Sequence, residues 1–219
     1  VNDEELTDPN DVLANLTLSA VPSYVALAKF ITGRVNNYKI VYGKLKRNNI
    51  ASHNGTEKTI TVDLNKLKAL QTYILNQEKL KGKSKDEAEA KVNATIERHI
   101  LHEFTHAVTA NKLKDPEFQK TAEYIRLEEI YNIYLSKFSE KEKANLELFK
   151  KYLAEEIDSL PEDITTDNYN IYYAATNILE FAVEAPTSGI VARKLAASEG
   201  IRKNIIRNNL KEYEEKKTK

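Results

Sequence analysis

The chain contains no cysteine, no methionine and no tryptophan. Without thiols it forms no disulfide and offers no cysteine nucleophile, and the absence leaves its redox compartment open. Lacking even an initiator methionine, and starting at Val1, it reads as a processed product or a segment of a longer polypeptide, such as a virion-associated or secreted one. Net charge is also missing: 33 Lys+Arg balance 33 Asp+Glu. That balance gives no reason to expect nucleic acid or an anionic membrane as partner. No apolar run approaches the roughly 20 residues of a membrane span, and Leu16–Ile31, interrupted by Pro22 and Lys29, lacks the cationic flank of a signal peptide. With 41% hydrophobic and 30% charged residues, 219 residues suffice for a soluble domain with a sizeable core. Histidine is scarce as well, at four, so a Ser–His–Asp system could draw only on His53 outside one short cluster.

That cluster is where the chemistry lies. His102-Glu103-Phe104-Thr105-His106 is an HExxH box. On an α-helix, positions i and i+4 share a face, so His102 and His106 can present two imidazoles to one ion. Glu103 sits beside that ion, placed to take a proton from water held there. Imidazole and carboxylate ligands suit zinc, one ion per chain. The flanks specify a helix from about Lys85 to Leu113: Ser84 and Glu87 form a capping box, and Asp115-Pro116 stops it. His99, one turn earlier and near the same face, is expected to pack beside the pair or to hydrogen-bond a carboxylate there.

A third protein ligand must come from elsewhere. A His six residues after the second one would fall on Lys112, so that pattern is absent. Glu123, Glu128 and Glu129 lie on a charged helix that reads as solvated. The better candidates are Glu180 and Glu184, i and i+4 within the apolar stretch Tyr172–Ala185. Carboxylates among Ile, Leu, Phe and Val are costly unless they bind a cation or a partner. Glu180 as metal ligand and Glu184 as acceptor for a His N–H would satisfy both.

Together, His-Glu-Phe-Thr-His-Ala-Val and, much later, Glu180-Phe181-Ala182-Val183-Glu184-Ala185 resemble the metallopeptidase family of the anthrax lethal factor catalytic domain, with relatives in other toxins and in bacteriophage proteins. The resemblance covers roughly residues 99–110 and 173–186. It implies a zincin-like fold and a zinc metalloendopeptidase acting on protein or peptide substrate. It also implies His102, His106 and Glu180 as zinc ligands, Glu103 as general base and Glu184 as support for a liganding His. Tyr173, seven residues before Glu180, would stabilise the oxyanion; Tyr172 is its neighbouring rival.

The expected architecture is α+β and mostly helical, a single domain over 1–219 with a small antiparallel sheet packed on the HExxH helix. Residues 58–64 alternate as a strand, Tyr38–Gly43 is a plausible partner, and His53-Asn54-Gly55 reads as a turn. Thr59, Ile60, Thr61 and Val62 would then line the cleft and pair with an extended substrate. A helical N-terminal lobe is expected over 1–50 with a core helix from Pro22. Charged helices follow over 117–138 and 140–157, then a third-ligand helix over 171–186 and a last helix with a frayed tail over 201–219. Two other functions remain open: a zincin-like binding or structural module that cuts nothing, and a hydrolase of a non-protein amide such as a cell-wall peptide.

Overall fold

Proline and aspartate open the chain's first elements. In the computed structural model, which describes residues 8–46 and 49–197, Asp8 caps α1 (Pro9–Leu16) by accepting from the Asn10 N–H at 2.8 Å. Pro22 begins α2 (Pro22–Ile31), since its missing N–H costs nothing in a first turn. The chain divides into two compact units, Val1–Asp115 and Pro116–Lys219. Among the described residues no helix is long and apolar enough to cross a membrane.

The first unit continues with β1 (Lys39–Tyr42), β2 (Ala51–Asn54) and β3 (Thr59–Val62), then α3 (Leu64–Leu80) and α4 (Lys85–Lys114). The sheet order is β1-β3-β2. It is mixed rather than antiparallel: β2 pairs antiparallel with β3, but β1 pairs parallel with it. The hairpin joins β2 and β3, and β1 runs alongside β3 on its other side. His53 and Asn54, expected in a turn, belong to β2. The fold therefore matches the expected α+β, mostly helical class, with the sheet's direction corrected.

Strand β3 is central, which overturns the expected role of Thr59, Ile60, Thr61 and Val62 as an edge for substrate. Asp63 donates to the Ile50 carbonyl on one side; the Lys58 and Val62 carbonyls accept from Lys39 and Gly43 on the other. With both ladders filled, β3 has no main-chain groups left for a further strand. Ile60 and Val62 are also buried, in the core with Ile40, Leu101 and Phe104.

Asp63 ends the sheet and starts α3. Its carboxylate accepts from the Asn65 and Lys66 N–H groups and from Leu45 at 3.0 Å. The Leu45 bond is the main cause holding this carboxyl below its ordinary 3.8. Helix α4 begins at the capping box read from the sequence, with Ser84 and Glu87 each bonded to the other's backbone. It ends at Asp115, extended as a residue before proline must be.

In the second unit a 3-10 turn (Phe118–Lys120) precedes α5 (Ala122–Leu135) and α6 (Glu140–Leu153). The segment expected as one helix over 171–186 is two, α7 (Tyr169–Ala175) and α8 (Ile178–Thr187), followed by α9 (Gly189–Ala196). Asn177 makes the break, because its side chain caps α8 by accepting from Leu179 and Glu180 at 3.0 Å. Pro186 is tolerated in the last turn of α8, where the Thr187 hydroxyl and the Ser188 N–H still reach the Val183 and Glu184 carbonyls. Tyr134, Phe149, Phe181 and Val191 centre this unit's core. Residues 201–219, expected as a helix and tail, lie outside the described residues.

Candidate metal centre

Helix α4 sorts its side chains by angle. Leu101, Phe104 and Thr105 are buried, the first two in the core against the sheet. His102 and His106 fall on another face, one turn apart. Their Nε2 atoms are 3.1 Å from each other and the rings meet edge to face at 76°. A tetrahedral ion about 2.0–2.1 Å from each nitrogen would set them roughly 3.3 Å apart. The pair thus fits a metal with little adjustment. Glu103, half-buried, follows His102 on the same helix.

His102, His106 and Glu180 form a group able to hold a metal ion, one ligand atom from each lying within 4.8 Å of the others. Two imidazoles and a carboxylate are a donor set that zinc accepts. Glu180 is the third residue of α8, in the turn capped by Asn177. Asn177 went unread in the sequence, although Asn followed three residues later by Glu is a helix-start signal.

Glu184 is one turn further along α8 and almost wholly buried, at 2% exposure. Its charge helps burial to raise the Tyr134 phenol far above the ordinary range. Tyr173 is half-buried and stacks on Tyr169, centroids 5.9 Å apart. Tyr172 is in the core with its ring against Phe138 and Phe149, so of the two tyrosines it is Tyr173 that keeps an accessible ring.

The chain as a whole matches no protein-family model, no curated protein and no solved structure.

His99 packs beside Arg98, whose guanidinium lies 3.4 Å from its Nε2. Burial, with Arg98 and His102 adding to it, pushes its imidazole down to about 3. It is not a member of the metal-holding group.

His53 is the residue that sequence reasoning placed wrongly. On β2 it accepts or donates at 3.0 Å to the Tyr38 hydroxyl and stacks on the Tyr38 ring. Its other neighbour is His106, with ring centroids 6.2 Å apart and planes at 14°. Burial, then His106, Lys58 and Lys114, lower it to about 4. The edge of the sheet next to the HExxH box is therefore β2, which also packs on α4. Since Asp63 bonds Ile50, alternation along the ladder turns the main-chain groups of Ala51 and His53 away from β3, towards that edge.

Proposed function

We propose that this chain is a zincin-like, zinc-dependent metalloendopeptidase. The observation that carries the reading is the convergence of His102, His106 and Glu180 on one small volume, with the two imidazoles supplied by an HExxH box. The resemblance of both motifs, which include these same three residues, to lethal-factor-type peptidases supports it.

In this reading His102, His106 and Glu180 hold the ion and Glu184 orients a liganding imidazole. Zinc bound there supplies Lewis acidity towards a peptide carbonyl and makes a coordinated water more acidic. Glu103 accepts the proton of the attacking water and later delivers it to the leaving amine. The Tyr173 hydroxyl donates to the oxyanion as it develops. An extended peptide pairs with the β2 edge, through the outward main-chain groups of Ala51 and His53. The β3 residues first expected to do this instead support β2 from behind.

Elemental mass spectrometry on the purified chain tests the metal. About one zinc per wild-type chain is expected, with loss in Glu180→Ala and retention in Glu103→Gln. Turnover of an unfolded protein substrate should fall by roughly 10²–10⁴ in Glu103→Gln. A wild type that folds but takes up no supplied zinc would overturn the reading. Full zinc in Glu180→Ala would remove Glu180 from the ligand set.

A further inference from the structure

We propose that the groove between β2 and the last turns of α4 is a subsite for a carboxylate of the substrate, held by Lys114. The inference rests on the peptidase reading for the substrate being a peptide, and on the first unit alone for the site.

The groove has a volume of about 380 Å³. Ser52, His53 and Thr56 line it from β2 and the turn after it, and Asn111 and Lys114 from α4. It opens beside the HExxH box, because His53 stacks on His106. Hydroxyls of Ser52 and Thr56 and the Asn111 amide can all donate to a carboxylate oxygen. Gly55 keeps the space open. A Cβ there would stand 3.2 Å from the His53 Cε1 and 3.5 Å from the Asn111 Oδ1, so a side chain would crowd the groove.

The charge in this groove is one-sided. Lys114 lines it, and among the described residues no carboxylate does. Glu57, nearby in the same turn, is engaged by the Asn54 amide at 3.0 Å. Many of the chain's other lysines sit against a carboxylate: Lys81 on Glu78, Lys83 on Glu87, Lys143 on Glu140, Lys150 on Glu147. Among the described residues, the Lys114 ammonium makes no hydrogen bond or ion pair. A second cation, Lys58, stands over the Tyr38 ring at 5.2 Å on the other side of His53. Lys58 also keeps a left-handed backbone, φ 56°, a conformation in which a lysine is uncommon. A polar groove with donors, an uncompensated ammonium and no acid selects a carboxylate over a neutral or cationic group. A strand laid on the β2 edge would send alternate side chains towards it.

The carboxylate can belong to an Asp or Glu side chain or to the end of a peptide, and the test separates the two. The probes are N-acetylated, C-amidated octapeptides carrying one Glu, their Gln counterparts, and the Gln peptides with a free C-terminal carboxylate. Each is titrated into the full chain, metal-free and zinc-loaded, following the backbone amide shifts of Ser52 and Asn111 by NMR. The Glu peptide, the free-carboxylate peptide, or both should bind about fivefold tighter than the neutral one. Which of them does so identifies the source. Lys114→Ala should erase the preference and Lys114→Glu should invert it in favour of a Lys peptide. Equal affinities for all probes, or a preference undiminished in Lys114→Ala, would overturn the proposal. If the preference stands but no zinc binds, the peptidase reading fails and the subsite does not. If the protein cleaves peptides without any such preference, the subsite fails alone.

Discussion

Phe104 offers a direct test of how the metal helix is anchored. It lies between His102 and His106 in sequence, and a helix places it about 160° round from both. Its side chain is fully buried against Leu101 and the sheet residues Ile40 and Ile60. Phe104→Ala removes a whole ring from a packed interior, with a cost of roughly 3–5 kcal/mol for transfer and cavity together. A domain is typically stable by about 5–15 kcal/mol, so a fifth of the margin or more would go. With a urea m-value of about 1–3 kcal/mol/M, the midpoint should fall by roughly 1–5 M. The assay is urea unfolding by far-UV circular dichroism in the presence of a chelator, so that metal binding does not confuse the comparison. Phe104→Leu, which keeps most of the volume, should lose less than about 1.5 kcal/mol. Adding zinc at 100 times its dissociation constant should then restore about 2.7 kcal/mol to Phe104→Ala, because the histidines are on the other face. A loss below about 1 kcal/mol at unchanged m would refute the anchoring argument.

Two more outcomes follow from buried polar groups. The Asp63 carboxyl titrates below its ordinary 3.8 in the folded chain, chiefly through the Leu45 N–H bond. A depressed carboxyl stabilises the fold above that ordinary value and loses the effect as pH falls through the lower, folded value. Urea midpoints measured from about pH 5 to 2 should thus decline in wild type and decline less in Asp63→Asn; parallel curves would exclude this role. In the second unit the Tyr134 hydroxyl donates to the Ile171 carbonyl at 2.9 Å. Tyr134→Phe should cost about 1 kcal/mol in chemical denaturation, and a more stable variant would contradict the bond's contribution.

Much of what was legible in the sequence is local. Helix α4 could be bounded at both ends because its capping box, Ser84 to Glu87, and its Asp115-Pro116 stop each act over four residues or fewer. The metal-facing pair could be named because helical periodicity alone puts His102 and His106 on one face. The break at Asn177 was equally local and was passed over, since the apolar run on either side masked the cap. Helix α3, with one buried residue, Ile74, shows little apolar stripe and was not foreseen.

Other features depend on contacts between distant segments, and no local signal encodes those. The sequence by itself determined the shared helix face of the HExxH histidines, the lack of a cysteine nucleophile in these residues and the helical frame, because residue type and short-range geometry are enough for each. It marked Glu180 and Glu184 as carboxylates in need of a partner, because burial makes an isolated charge costly. Only the tertiary structure decided that β1 runs parallel to β3 and that β3 is central, which hands the sheet edge to β2. Only packing buried Tyr172 and left Tyr173 accessible, and only pairing across the hairpin carried His53 from an apparent turn to the side of His106. Strand order and side-chain proximity arise from the burial of surfaces far apart in the chain, and alternation along a strand is the same whichever neighbour it pairs with.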